Sequence, residues 1–178
     1  MTATNGSKRF EPGPHNTRLL RDAFGQFATG VTVVTTMTKA GPMAITANSF
    51  ASISLDPPLV MWAPGRHARR FRHFEEAEHY AIHVLAADQD SLCFAVAKDA
   101  TALTGVPHHQ SPEGVPLIDG CLASFECRRE ASHEGGDHLL VIGRVLRAEM
   151  QQNGDALAFF RGKMQRIRNP GRGTGTGD

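Results

Sequence analysis

Short hydroxyl and amide side chains gather in one place in this chain. Between Met43 and Trp62 stand Thr46, Asn48, Ser49, Ser52 and Ser54, with the aromatic ring of Phe50 among them. Together with backbone amides, they offer many hydrogen-bonding groups and one apolar plane. That set suits a flat polar ring system rich in acceptors. The same residues would also make an ordinary hydroxyl-rich loop between two strands, and composition alone leans to that plainer reading.

Other chemically able groups are more scattered. Gly135-Gly136-Asp137-His138 sets a histidine beside a carboxylate at a turn. The glycines permit close backbone approach, and Asp137 can hold one tautomer of His138. A lone histidine beside a glycine turn is ordinarily structural. Arg66, His67, Arg69 and Arg70 form a basic turn ahead of a short helix. It reads as an anion site or as solvated surface, the second reading being the better one for Arg70. His108-His109 and Cys121 fit no recognised zinc spacing and lack a third ligand, so no metal is expected. Cys121 and Cys127 would share one strand face as packing groups, with no His–acid partner to make either a nucleophile.

The elements that must position these groups can be read from periodicity. Residues 1–15 and 169–178 lack it and read as a disordered arm and tail around one domain, residues 16–168. A helix is expected from Asn16 or Thr17, with Leu19, Ala23 and Phe27 on one face and Gly30 closing the segment. Val31–Met37 reads as a strand, Lys39–Pro42 as a turn, and Met43 as the start of the returning strand. Asp56-Pro57-Pro58 interrupts before a strand over Leu59–Ala63. A short helix carries Phe71 and Phe74, a strand covers Tyr80–Leu85, and a helix capped by Asp88 or Asp90 runs through Ala97. Lys98–Gly120 reads as a long loop. Strands then follow over Ala123–Cys127 and Leu139–Leu146, with Asn153-Gly154-Asp155 as a hairpin turn into Leu157–Phe160. Short strands joined by turns, with few helices, predict a mainly β protein whose antiparallel sheet closes into a barrel.

Composition excludes several classes. The 178 residues allow one domain with a substantial core, and a net charge of +1 does not describe a nucleic-acid binder. No window is long and apolar enough for a membrane helix, and Met1–Phe10 has no apolar core to act as a secretory signal. The odd count of 3 cysteines, with no Cys-x-x-Cys, points to reduced thiols and a cytoplasmic location. No Gly-x-Gly-x-x-Gly follows a strand and no Gly-x-x-x-x-Gly-Lys-Ser/Thr occurs, so neither a Rossmann site nor a P-loop is supported.

The order of several local patterns resembles the flavin reductase family of FMN-binding split barrels. These are Phe27–Thr35, Thr46-Ala47-Asn48-Ser49-Phe50 with Ser52 and Ser54, and Asp56–Val60. They continue with Ile82–Leu85 ahead of Gln89 and Leu92, Gly136-Asp137-His138 with Gly143-Arg144-Val145, and Arg161-Gly162. The likeness runs from about Leu19 to Arg166. It implies an antiparallel, Greek-key-like split barrel that assembles as a homodimer. The implied activity is that of an NAD(P)H:flavin oxidoreductase, which takes hydride from NADH or NADPH to reduce FMN or FAD. The reduced flavin then leaves to serve a separate partner monooxygenase.

In that picture Thr46, Ala47, Asn48, Ser49 and Phe50 wall the flavin, a flat acceptor-rich ring of the kind described above. Ser52 reaches toward the phosphate, and Ala63, Pro64, Gly65, Arg66, His67 and Arg69 complete the flavin side. Gly136, Asp137, His138 and Arg161 receive the nicotinamide, with His138 as the catalytic-site residue that orients it and not an obligatory acid. The resemblance assigns no flavin contact to Ala100–Leu103, which lacks the basic-aromatic pair that related chains often carry there. Two other readings stand beside this one: a non-catalytic flavin carrier or sensor, and a flavin-mediated reductase of ferric ion or a corrinoid.

Overall fold

Alternation along two neighbouring strands decides where the core lies. Val34 and Ile45 enter one apolar cluster with Trp62, Phe74, Tyr80 and Val141, while Val33 and Ala44 enter a second with Leu85, Cys93 and Val96. Successive strand residues point to opposite faces, so both faces of this sheet region are buried. The computed structural model describes residues 7–99 and 103–171. The elements are, in chain order, α1 (Thr17–Phe24), β1 (Thr29–Gly30), β2 (Thr32–Thr38), β3 (Gly41–Ala47), β4 (Ala51–Leu55) and β5 (Pro58–Trp62). There follow α2 (Phe71–Glu76), β6 (His79–Val84), α3 (Asp90–Lys98), β7 (His108–Gln110) and β8 (Pro116–Ile118). The chain ends with β9 (Ala123–Gly135), β10 (His138–Met150), β11 (Ala156–Phe160) and β12 (Lys163–Ile167).

The main sheet is antiparallel, in the order β3-β2-β6-β9-β10-β5-β4. Its two end strands, β3 and β4, are consecutive in sequence and joined only by Asn48, Ser49 and Phe50. So short a link forces the sheet to curl until its ends meet, yet no ladder joins them. This is a split barrel. The hydrogen-bonded sheet expected to close completely stays open at one seam, between β3 and β4. Ser49 fastens the seam from within: its Oγ donates to Ala63 O (3.2 Å) and accepts from Ala63 N–H (2.9 Å).

Several expectations are corrected. Helix α1 stops at Phe24, not near Gly30: after it Gln26 N–H bonds Ala23 O and Phe27 N–H bonds Phe24 O, i→i−3 turns that replace the i→i−4 ladder. None of its residues is fully buried, and Phe24 and Phe27 are 69% and 76% exposed. Ser52 and Ser54 lie on strand β4, not on a loop. The stretch read as a long loop holds the β7–β8 hairpin, pinned when Thr35 Oγ1 donates to Pro116 O at 2.6 Å. Asn153–Asp155 does not make a hairpin: β11 leaves β10 and joins β1 and β12 in a separate sheet. Cys121 precedes β9 and packs beside α3, whereas Cys127 faces the barrel core, so the two share no strand face. Burial pushes the thiols up to about 11 and about 12, which leaves both protonated at neutral pH. The arm at residues 1–6, the tail at 172–178 and residues 100–102 lie outside the described residues. Among the described residues, no helix is long and apolar enough to cross a membrane.

Candidate active site

A cavity of about 520 Å³ opens at the barrel seam. One wall is the end of β3 and the turn after it, Thr46–Ser49. Strand β3 is an edge, and along an antiparallel edge the backbone groups alternate between the ladder and the open side. Ala44 O is on the open side, where it accepts from Arg70 Nη1 at 3.0 Å. By the same alternation Thr46 turns its N–H and C=O outward to the cavity it lines. A donor and an acceptor from one residue, with the Asn48 amide beside them, match a ring edge that alternates carbonyl and imide groups.

The facing wall is Trp62–Gly65, held by a short continuation of the β5–β10 pairing. Leu139 N–H donates to Pro64 O (3.1 Å), Arg66 N–H donates to Asp137 O (2.8 Å), and Gly65 pairs with His138. His138 is thereby carried to the cavity by the two-residue turn Gly136-Asp137, for which Gly136 adopts a φ of 69°. His138 Nδ1 donates to Asp137 Oδ1 at 2.7 Å, and its Nε2 lies 3.4 Å from where a Cβ on Gly65 would stand. The His138 imidazole holds the Asp137 carboxyl below the usual range, first through this hydrogen bond and then through its charge. In a neutral ring whose proton sits on Nδ1, Nε2 is an acceptor. The ring is 47% exposed, so a ligand can reach it.

Cations define the remaining rim. Arg69, Arg70 and Lys98 line the cavity, whereas Arg66 and His67 do not. Arg66 is drawn away: its Nη2 meets the Glu134 carboxylate at 2.5 and 2.6 Å, and its guanidinium lies 5.2 Å from the Phe71 ring centre. Arg70 is not the solvated residue that its local sequence suggests. Its guanidinium donates to Ala44 O on β3 and to Val96 O and Ala97 O at the end of α3. A cation there satisfies the helix's final carbonyls. Burial lowers its pKa from the ordinary value and Asp99 opposes that shift. Helix α2 ends the same way, with Arg129 donating to Phe74 O and Glu75 O.

The structure therefore brings together Thr46, Ala47, Asn48, Ser49, Ala63, Pro64, Gly65, Arg69 and His138 around one cavity. Other expected residues stand apart from its lining. Phe50 stacks on Phe125 (5.5 Å between centres), and Ser52 is exposed on β4. Gly136 and Asp137 support His138 from behind. Arg161 sits on the β11–β12 turn and donates from Nε to Gln26 Oε1 at 2.7 Å. Arg70 and Lys98 were missed by sequence reading. For Lys98 a signal existed, a basic residue at a helix C-terminus; for Arg70 the basic turn was the signal, but its local sequence favoured solvent. His109 pairs with Asp119 at 2.9 Å, His108 Nδ1 bonds Val106 O, and no metal-holding group of three His, Cys, Asp or Glu occurs among the described residues.

Comparison with known proteins places this architecture. FMN reductase (NADH) SmoA of Agrobacterium fabrum is 50% identical over 158 residues, which are 89% of this chain and 90% of that protein. The flavin-dependent monooxygenase reductase subunit HsaB of Rhodococcus jostii is 36% identical over 147 residues, 82% of this chain and 75% of its own length. The solved structure of Streptomyces globisporus NADH:FAD oxidoreductase SgcE6 in complex with NAD and FAD fragments matches with a TM-score of 0.83 at 34% identity. It covers 91% of this chain and 99% of that one. Residues 24–168 match the model of the flavin reductase like domain, and the chain belongs to that family.

Proposed function

We propose that the protein is an NAD(P)H:flavin oxidoreductase that reduces FMN or FAD and releases the product to a separate flavin-dependent monooxygenase. The observation that carries this reading is the pairing of an open β3 edge with His138 across one cavity of about 520 Å³. Bound there, a flavin supplies the hydride acceptor and a reduced nicotinamide the donor. The work left to the protein is to hold two rings face to face at roughly 3–3.5 Å.

Each residue then has a defined task. The N–H and C=O of Thr46 and the amide of Asn48 bond the polar edge of the ring. Donors placed there also stabilise negative charge that builds up on that edge. Arg69, Arg70 and Lys98 offer their positive charge to phosphate. His138, with Asp137 fixing its tautomer, accepts an N–H of the carboxamide at Nε2 and so sets the face presented by the nicotinamide. No protonated His138 is needed, since hydride transfer requires no acid. The names of the relatives, an FMN reductase (NADH) and a monooxygenase reductase subunit, support the donor and the outlet. A homodimer in the cytoplasm completes the reading. Exposed apolar side chains such as Phe27, Leu55 and Met150 favour a second copy, and three buried free cysteines favour a reducing compartment.

The direct test mixes purified protein with NADH or NADPH and either flavin and follows the nicotinamide absorbance. Flavin-dependent oxidation of one donor is expected. Flavin binding without turnover would leave only a carrier.

A further inference from the structure

His109 and Cys121, which match no zinc pattern, meet in a second cavity of about 190 Å³ beside the β7–β8 hairpin. Asp119, Ser124, Glu149 and Gln151 line it with them. It shares no lining residue with the cavity at the seam. Glu149 and His138 stand near opposite ends of β10, roughly 35 Å apart along the strand. Ser124 lies directly opposite His83 of β6 on one side and Glu149 of β10 on the other, so the three side chains share one sheet face. The row runs from a fully buried imidazole, through a hydroxyl on a residue 9% exposed, to an exposed carboxylate. Strand β8 covers its inner end, where Ile118 N–H bonds His83 Nε2 at 3.1 Å.

The hydroxyl of Ser124 has no hydrogen-bond partner among the described residues, although buried hydroxyls are ordinarily paired. His109 Nδ1 meets Asp119 Oδ1 at 2.9 Å, and in a neutral ring with its proton there Nε2 is an acceptor. Glu149 has no ion pair among the described residues. Arg147, two positions earlier, is held by Glu126 at 2.7 Å and by Glu113. No Lys or Arg lines the cavity, while Asp119 and Glu149 bring negative charge to it. The lining is thus rich in acceptors, and the space is smaller than the roughly 300–1,000 Å³ of a drug-sized site. We infer that this cavity binds a small organic cation with N–H donors, a primary ammonium or a guanidinium. Glu149 supplies the ion pair, and Ser124 Oγ and His109 Nε2 accept the remaining N–H groups. The inference does not depend on the flavin reductase reading.

The experiment titrates the full chain by calorimetry with methylammonium, methylguanidinium and 1,4-diaminobutane as chlorides, at constant ionic strength. Tetramethylammonium, a cation without N–H, is the control. At least one of the three donors should saturate a single site with a Kd of about 1 mM or tighter. Glu149→Gln should weaken that binding about ten-fold and Ser124→Ala about three-fold. Neither residue lines the seam cavity, so flavin affinity of both variants should stay within about two-fold of the parent. Glu149 is exposed, so its variant keeps the fold and carries the test should Ser124→Ala unfold. The inference is overturned by no saturable binding of any of the three up to about 20 mM, or by an affinity unchanged in Glu149→Gln. Equal binding of tetramethylammonium also overturns it, reducing the site to a patch of negative charge. Should the parent show no flavin-dependent oxidation of NADH or NADPH, the flavin reductase reading fails and this one stands or falls on the titrations alone.

Discussion

His138 owes its usefulness to what its other nitrogen is doing. Asp137 accepts from Nδ1 at 2.7 Å, leaving Nε2 as the atom nearest Gly65 and the cavity. Substituting His138→Ala should therefore raise KM for the nicotinamide about ten-fold, with little change in flavin dissociation constant, the loss of one or two oriented hydrogen bonds. Equal loss of both ligands in paired kinetics and flavin titrations would contradict the assignment. Asn48 offers the complementary case, because its side chain is exposed and lines the cavity. Asn48→Leu should weaken flavin binding several-fold while Tm stays within about 2 °C, since exposed substitutions change stability little. A collapse in Tm would make the turn structural. Both residues were legible in sequence, as local runs name them directly. Arg70 was not: its carbonyl partners on α3 lie 26 and 27 residues away, and only folding shows that it ties two walls of the cavity together.

The β9–β10 ribbon is the element that delivers His138, and Gly143 is where it meets the core. A Cβ on Gly143 would stand 2.1 Å from Tyr80 Oη, far inside contact distance. Tyr80 is buried, with its hydroxyl near the Trp62 indole N–H but not in hydrogen-bonding geometry, and burial raises its pKa. Gly143→Ala should cost about 1–3 kcal/mol through overpacking, read from urea unfolding midpoints. Tyr80→Phe removes the obstructing oxygen without orphaning a partner. The double variant should recover most of that loss, and a failure to do so would place the strain elsewhere. Strand alternation made β2, β6 and β10 visible beforehand. The short strands β7, β8 and β12 were hidden because each draws its stability from a distant partner rather than from its own pattern.

At the scale of the whole molecule, one buried histidine joins three strands. His83 on β6 donates from Nδ1 to Val33 O on β2 (3.0 Å), and its Nε2 accepts Ile118 N–H of β8 (3.1 Å). Nε2 can accept only in a neutral ring, and burial lowers its pKa to about 4, against the bond to Val33 O and with a smaller contribution from nearby His109. Below about pH 6.5 the unfolded chain takes up a proton that the folded one refuses. Stability is therefore full above that pH and declines as pH falls toward 4, by up to about 3 kcal/mol. Urea midpoints between pH 7.5 and 4.5 should fall less steeply in His83→Gln than in the parent. Coincident slopes would show that His83 does not govern the acid limb.

By itself the sequence determined the class of the fold, because strand periodicity and turn chemistry act between near neighbours. It also determined that the polar stretch after β3 and the Gly-Asp-His turn were the places to look. The tertiary structure alone decided that these places share a cavity. That outcome comes from the curl of the sheet, which brings the ends of β3, β5 and β10 together at a seam that no ladder closes. It decided the cations as well. Arg66 is drawn off by Glu134, while Arg70 and Lys98 arrive from separate elements. Which charge meets which ligand depends on contacts across long stretches of chain, and no local pattern encodes them.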